Sequence, residues 1–247
     1  ISHRTIFQEA AKKRDQIKHT NKNFAKSINS FLSRLHWRSH FIQKLEDQPS
    51  IEHASFIPVY DQIRDKDEEK LEAWIEGKTG VHFIDACMIY LRNYGWINFR
   101  MRAMLASFAS YNLWLDWRYF APRLAALFTD FEPGIHYSQI QMQSGTTGIN
   151  TIRMYNPYKQ AMDQDPLGKF IKSQIPEVKN FPPAFFHNPP KKSLNVNLFD
   201  NEFQKEIINV KETAQYARKK IFDIRKSQEH KILAKNVYLK HGSRGRS

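Results

Sequence analysis

The sequence of 247 residues is poor in cysteine, in long apolar runs and in acidic side chains. Its single cysteine, Cys87, excludes an internal disulfide, a zinc knuckle and an iron–sulfur cluster, because each of these needs several thiolates. No apolar run approaches the roughly 18 residues of a membrane-spanning helix. We therefore expect neither a membrane partner nor a bound metal. The chain begins at Ile1 without an initiator methionine or a signal region, and we interpret it as a fragment of a longer protein.

Aromatic and basic side chains, in contrast, are abundant. The 18 Phe, 10 Tyr and 5 Trp exclude a disordered chain and predict a sizeable core in one large domain or two small ones. Lys and Arg number 38 against 25 Asp and Glu, and residues 201–247 alone hold 12 basic and 5 acidic residues. This excess favours a polyanionic partner, nucleic acid first, although a solvated basic helix without a partner explains it equally well.

Hydrophobic periodicity predicts an all-α fold. Apolar residues recur at helical spacing over 20–46 and 81–93, and no alternating strand pattern is found. The stretch from Phe99 to Phe128 is apolar on nearly all sides, which predicts a buried central helix, broken near Pro122. Cys87 lies in an apolar helical run and is interpreted as a core residue.

The remaining segments are less regular. Residues 129–150 are polar and rich in glycine and amides, and we expect a long functional loop there. Residues 1–180 are interpreted as one helical domain, and 181–198 as a proline-rich surface wrap. Residues 199–247 predict a long basic C-terminal helix, amphipathic over 200–236, and a tail that packs on the same domain.

Two basic constellations could carry chemistry. Trp96–Arg102 places Arg100 and Arg102 at the entrance of the buried helix, where each guanidinium needs an anionic partner such as Asp130 or Glu132. Such a pair can be purely structural or can face a ligand. Arg34–His40 contains two Arg, two His and a Trp, which either stack on bases and hold phosphates or form a basic surface around a core tryptophan. No metal-ligand, nucleophile or phosphate-loop motif is present, so these residues alone name no reaction.

Several linked motifs carry a resemblance to a known family. They are Trp74–Gly80, Phe83–Met88, Gly95–Arg102, Asp116-Trp117-Arg118, Tyr155-Asn156-Pro157, Gln160, Asp165-Pro166 with Gly168, and Pro176-Glu177. In this order, over about residues 28–178, the sequence resembles the flavin-binding helical domain of DNA photolyases and cryptochromes. The resemblance implies FAD as cofactor, damaged or single-stranded DNA as partner, and an N-terminal antenna domain in the full-length protein. It also implies that the segment holding the FAD phosphates lies upstream of Ile1.

By position, the resemblance assigns roles to individual residues. Cofactor contacts fall on Arg38, Trp96, Asn98, Arg102, Asp130, Phe131, Glu132 and His136. Contacts with DNA or its lesion fall on Arg34, Trp37, Phe99, Arg100, Met142 and Gln160. Arg102 and Asp130 would pair beside the isoalloxazine ring, Trp37 would pack on the flipped-out lesion, and Trp117 would be a possible electron relay.

The sequence also departs from the family pattern. Asn98-Phe99 replaces His-Asn, Ile140-Gln141-Met142 replaces Trp-Gln-Trp, and Arg34 replaces the glutamate of pyrimidine-dimer enzymes. Since Ile140 cannot relay an electron, photoreduction would run through Tyr137 or Tyr111 or be absent.

The function implied is light-driven repair of pyrimidine dimers by an electron from excited, reduced FAD, in a bacterial cytoplasm or a eukaryotic nucleus. A cryptochrome-like photoreceptor without repair and a flavin-free scaffold that binds nucleic acid are the alternatives.

Overall fold

A computed structural model describes residues 2–188 and 205–241. Over these ranges the protein consists of helices and short turns without a strand, and Asp65 and Leu115 form an isolated bridge. The α-helices of the described residues are α1 (His3–Ile17), α2 (Lys22–Asp47), α3 (Glu68–Glu76), α4 (His82–Tyr94), α5 (Phe99–Ser107), α6 (Trp117–Ala125), α7 (Pro133–Ser144), α8 (Pro157–Gln164), α9 (Lys169–Gln174), α10 (Pro183–His187), α11 (Val210–Lys226) and α12 (Gln228–His241). The predicted all-α fold is confirmed. None of these helices is long and apolar enough to cross a membrane.

The chain divides into two compact units. Unit 1 comprises 1–52 with 132–138, and unit 2 comprises 53–131 with 139–247. The domain predicted over residues 1–180 therefore contains parts of both units. In unit 1, α1 packs on α2, and the buried face of α2 carries apolar residues at helical spacing. The start of α7 approaches α2 closely, because a Cβ on Gly134 would lie 2.8 Å from the Cα of Ile42.

Helix α4 forms the centre of unit 2 and packs against α3, α5, α8 and α9. Its face is apolar over most of its length, and Cys87 lies fully buried within it, as predicted. Asp85 fixes the turn that precedes the helix: one carboxylate oxygen accepts from the backbone N–H and the hydroxyl of Thr79, and the other accepts from the backbone N–H of Gly80. The helix ends at Gly95, whose φ of 67° needs a glycine.

The central apolar stretch breaks earlier than predicted. Helix α5 continues into a buried π-helical turn, Phe108–Asn112, and the chain then reverses at Trp114, which has a φ of 57°. Asp116 caps the next helix by accepting from the N–H of Arg118. Pro122 lies inside α6, so the predicted break at this residue is wrong. Its missing N–H removes one hydrogen bond from a helix that ends three residues later.

The predicted loop over 129–150 is largely helical, because α7 occupies Pro133–Ser144. A proline at the first helical position suits a helix start. The periodicity is hidden because the buried side chains of α7 include Ser138, Gln141, Gln143 and Ser144 beside a few apolar ones. Residues 145–150 are not helical.

The predicted long C-terminal helix is two helices. Ser227 separates α11 from α12 with an extended ψ of 147°, and residues 205–209 precede α11 without helical structure. Helix α12 reaches His241, where the sequence predicts the basic tail. Of the predicted wrap, Pro183–His187 forms α10. The rest of the wrap from 189 and the end of the tail from 242 lie outside the described residues.

Candidate functional site

The predicted site residues of unit 1 lie on α2 and at the start of α7. Arg34, Trp37 and Arg38 share one face of α2, since they are separated by three and four positions. Trp37 is 48% exposed and packs beside Phe41, with ring centroids 5.9 Å apart, so it is not the core anchor considered as an alternative. Arg38 donates from Nη2 to Oε2 of Glu132 at 3.3 Å, and Arg34 is exposed. This face presents an indole and two cations.

The neighbouring turn of α7 holds His136. Its backbone N–H donates to the carbonyl of Glu132 at 2.8 Å, and its buried ring packs edge-on against Tyr137, 5.2 Å between centroids. Burial and the charge of Glu52 raise the pKa of Tyr137. The phenol therefore stays neutral at physiological pH.

In unit 2, Arg102 and Asp130 form a bidentate pair. Nη1 and Nη2 of Arg102 donate to the two carboxylate oxygens at 3.0 Å each, and Nε donates to the carbonyl of Ile97 at 2.7 Å. The guanidinium carbon lies 4.2 Å from the ring centre of Phe128 and 5.9 Å from that of Trp96. The Asp130 carboxylate is half-exposed, so it can accept a further donor.

The start of α5 turns its first residues outward. Asn98 caps the helix by accepting from the N–H of Met101 at 3.1 Å. Phe99 is 64% exposed, and Trp96 and Arg100 are exposed as well. The expectation that Arg100 enters the core is therefore wrong, because the first turn of α5 lies at the surface. Its contact with an anionic ligand stays a prediction.

The other predicted residues of unit 2 are spread over its elements. Trp117 is fully buried and donates from Nε1 to the hydroxyl of Ser55 at 2.9 Å. Phe131 is exposed. Gln160 is buried on α8, and its Oε1 accepts no hydrogen bond from the described residues. Met142 lines a cavity of about 220 Å³ together with Gln143, Ile149, Asn150, Thr151 and Arg153.

One departure from the family pattern, Ile140, lies inside the structure, whereas Phe99 and Arg34 are exposed. Ile140 is 5% exposed, and Tyr111 is buried in the π-helical turn. Burial raises the pKa of Tyr111 to about 12. An electron route through Tyr111 or Tyr137 stays a prediction.

The sequence reading missed two arginines. Arg64 is buried and donates from Nε to the carbonyl of Ser110 at 3.0 Å and from Nη2 to that of Ser144 at 2.7 Å. Arg225 donates from Nη2 to the carbonyl of Asn150 at 2.8 Å. Neither residue belongs to a motif, so no local signal could have found them. Among the described residues, no three His, Cys, Asp or Glu lie close enough to hold a metal ion.

Comparison with known proteins identifies the family. Residues 31–230 match the family model described as the FAD binding domain of DNA photolyase. The chain belongs to this family. It is 32% identical over 167 residues to the deoxyribodipyrimidine photo-lyase of Escherichia coli, which is 65% of this chain and 35% of that protein. It is 29% identical over 163 residues to Cryptochrome-2 of Gallus gallus, which is 65% of this chain and 28% of that protein.

Solved structures of photolyases share the fold. The photolyase of Sulfolobus tokodaii, crystallised with two FAD molecules, matches 85% of this chain and 47% of its own, with a TM-score of 0.70 and 29% identity. The class III photolyase of Agrobacterium tumefaciens matches 92% of this chain with a TM-score of 0.77, and at 22% identity it shows the fold alone. The chain thus spans about a third of the curated relatives named above and about half of these solved chains.

The side chains of this photolyase-family domain fit a flavin cofactor chemically. The partly exposed guanidinium of Arg38 suits a phosphate, and the half-exposed carboxylate of Asp130 suits an imide N–H. The exposed indole of Trp96 offers an aromatic surface.

Proposed function

We propose that this chain is the flavin-binding part of a light-driven DNA repair protein that splits pyrimidine dimers, a deoxyribodipyrimidine photolyase. Membership of the photolyase family supports the proposal, and so do relatives that bear the photo-lyase name. The observation that carries it is the bidentate contact between Arg102 and Asp130, the two residues that the resemblance assigns to the flavin ring.

When bound, FAD supplies the absorption of light and the electron that splits the dimer. The chain's own residues bind the cofactor and the DNA and orient them. In this proposal, the carboxylate of Asp130 accepts a ring N–H, and Arg102 holds that carboxylate in place and favours negative charge on the reduced ring. Arg38, which pairs with Glu132, is proposed as a further contact of the cofactor.

The exposed basic and aromatic residues are proposed to bind damaged DNA. Arg34 and Arg100 contact phosphates, which makes the affinity depend on salt. Trp37 and Phe99 offer exposed rings to a base that has left the stack, and extrusion costs less for a damaged base. We expect the antenna domain of the full-length protein as a second partner, and a location in the bacterial cytoplasm or the eukaryotic nucleus.

A cryptochrome-like photoreceptor is the second candidate. It is favoured by one observation, the buried aliphatic side chain of Ile140 at the position where the family places an electron-relaying tryptophan. A receptor of this kind would bind FAD and would repair neither cyclobutane dimers nor (6-4) photoproducts.

The deciding experiment uses the complete protein from which this chain comes. Its flavin absorption is recorded, and light-driven loss of cyclobutane dimers and of (6-4) photoproducts is followed. Repair of either lesion supports the proposal. Bound flavin without repair of either lesion favours the photoreceptor, and a colourless protein that binds DNA favours the flavin-free scaffold.

A variant tests the flavin role of Asp130. Asp130→Asn keeps the shape but removes the charge that pairs with Arg102, so we expect loss of FAD or a changed flavin redox state. Asp163→Asn is the matched control, because this carboxylate is exposed on α8 and pairs with Lys159 four positions earlier on the same helix. Unchanged flavin content and spectrum in Asp130→Asn would count against the assignment.

A further inference from the structure

We propose that unit 2 contains a buried binding site for a small inorganic oxyanion of phosphate or sulfate type, formed by Arg64, Tyr111 and Arg225 (the oxyanion site). None of the three is among the residues assigned to contacts with flavin or DNA, although Tyr111 is also a candidate electron route. The proposal does not depend on the function proposed above.

Arg64 supplies the first donor. Its side chain is 7% exposed, and Nη1 has no hydrogen-bond partner among the described residues, while Nε and Nη2 donate to backbone carbonyls. The guanidinium carbon lies 4.9 Å from the ring centre of Trp114 and 5.6 Å from that of Tyr111. A buried cation that meets only carbonyls and ring faces retains its charge without an anion to balance it, which is costly.

Two further polar atoms without a hydrogen-bond partner lie around the loop of residues 144–150. Ser144 accepts from Arg64 at one end of the loop, and Asn150 accepts from Arg225 at the other. The hydroxyl of Tyr111 lies against the loop as well, because a Cβ on Gly145 would come within 2.5 Å of that oxygen. This hydroxyl and Nε of Arg225 are buried and have no hydrogen-bond partner in the described part of the chain. The loop therefore brings three donors into one region.

In the described part of the chain, no carboxylate forms an ion pair with Arg64 or with the partly exposed Arg225. The acidic group that acts on Arg64 is Asp116, and its carboxylate is already paired with Arg118. The hydroxyl of Tyr60 bonds to Nε2 of His230 at 2.9 Å. Burial raises the pKa of Tyr60 against the opposing effect of the nearby Arg225 guanidinium, and burial together with Arg225 lowers the pKa of His230, so both are neutral at pH 7.

The donor chemistry selects the ligand. Guanidinium N–H groups and a phenol hydroxyl together suit a tetrahedral oxyanion, whose oxygens accept several charge-assisted hydrogen bonds. A water molecule would accept a hydrogen bond from a guanidinium N–H but would not neutralise the positive charge. Asn150, whose carbonyl accepts from Arg225, also lines the 220 Å³ cavity.

Equilibrium dialysis of radiolabelled inorganic phosphate against the full chain measures the site directly, at constant ionic strength in chloride. We expect saturable binding of close to one phosphate per chain, with competition by sulfate. The thermal unfolding midpoint should rise along the same saturation curve, because a ligand that binds only the folded state stabilises it.

Three variants locate the binding. Arg225→Gln should weaken phosphate affinity at least tenfold, and Tyr111→Phe, which removes only a hydroxyl, should weaken it severalfold. Arg218→Gln, an exposed position on the same helix, should leave affinity unchanged. Absence of saturable binding in the wild-type chain overturns the proposal. So does equal affinity in wild type and Tyr111→Phe, the variant that keeps the test valid if Arg225→Gln does not fold.

Discussion

The side-chain amide of Gln141 on α7 forms hydrogen bonds with the backbone of residues 54–56 through both its oxygen and its nitrogen. Oε1 accepts from the N–H of Phe56 at 2.8 Å, and Nε2 donates to the carbonyl of Ala54 at 3.0 Å, with the side chain fully buried. Gln141→Leu keeps the volume but leaves both backbone groups unpaired. We expect the free energy of unfolding to fall by about 2–4 kcal/mol, measured by chemical denaturation. Gln164→Leu, at an exposed position, should change it little, and equal stability of the two variants would refute the account.

At the scale of single residues, the sequence predicted contacts that follow a family pattern and missed those that depend on distant backbone. The contact between Arg102 and Asp130 was predicted, because each residue lies in a recognisable segment. Glu132 was weighed as a partner for Arg100 but contacts Arg38 instead. Arg64 could not have been found, since its partners are carbonyls 46 and 80 positions away, and any residue type offers a carbonyl.

Helix α4 combines two groups whose titrations oppose each other. Burial lowers the pKa of His82 to about 4. Burial also raises the pKa of Asp85 to about 6, against hydrogen bonds from Thr79 and Gly80. As the pH falls from 6.5 to 4, His82 binds a proton in the unfolded chain but not in the folded one. This group therefore lowers the free energy of unfolding. Between about pH 6 and 3.8, Asp85 binds a proton in the folded chain but not in the unfolded one. This group therefore raises the free energy of unfolding as the pH falls.

Replacement of His82 should remove its unfavourable contribution at low pH and leave that of Asp85. The ring packs against Phe185 and Phe186, so His82→Phe keeps an aromatic there. Relative to wild type, the variant should gain up to about 3 kcal/mol of unfolding free energy between pH 6.5 and 4, at about 1.4 kcal/mol per pKa unit. Denaturant titrations at several pH values measure this. His19→Phe, an exposed control, should show no such gain, and parallel pH profiles for wild type and His82→Phe would contradict the prediction.

Ser227 separates the two C-terminal helices and caps the second. Its hydroxyl accepts from the N–H of His230 at 3.2 Å. Ser227→Ala should lower the free energy of unfolding by about 1 kcal/mol, as measured by urea denaturation, because the N–H then loses its partner. Ser227→Asp, which can still accept, should retain most of the stability. If Ser227→Ala were as stable as wild type, α11 and α12 would not depend on this cap.

The elements that the sequence misjudged share a physical cause. Periodicity reports where apolar side chains recur, and in α7 several buried positions are polar, so the helix reads as a loop. At Ser227 one extended residue interrupts the backbone while apolar residues continue on both sides, so two helices read as one. The break at Trp114 depends on a positive φ, which a tryptophan in the sequence does not predict.

At the scale of the whole molecule, the sequence predicted the all-α fold and the family, because both depend on many motifs together rather than on one. It did not predict the division into two units. Residues 132–138 belong with 1–52 although about eighty residues separate them along the chain, and pattern reading treats sequence neighbours as one domain. The positive charge is likewise a property of the whole chain, and its effect depends on where the cations lie.

Helix α11 is where we expect part of the net charge of +13 to act on undamaged DNA, in addition to the phosphate contacts proposed for Arg34 and Arg100. Lys219 and Lys220 are exposed there, and Nζ of Lys220 lies 5.6 Å from the ring centre of Tyr216. The double change Lys219→Glu with Lys220→Glu should weaken binding to undamaged duplex DNA. It should also reduce the slope of log affinity against log salt by about 2, since each phosphate contact contributes about 0.9. Fluorescence anisotropy over a salt series measures both.

The matched control separates local contact from net charge. Lys12→Glu with Lys13→Glu makes the same change of charge on exposed positions of α1. A cation that touches a phosphate releases counterions on binding, whereas a distant one adds only a screened, long-range attraction. We therefore expect the α11 variant to lose more affinity and more salt dependence than the α1 variant. Equal losses in the two variants would mean that the chain attracts DNA through its total charge, and that α11 is a solvated helix without a contact of its own.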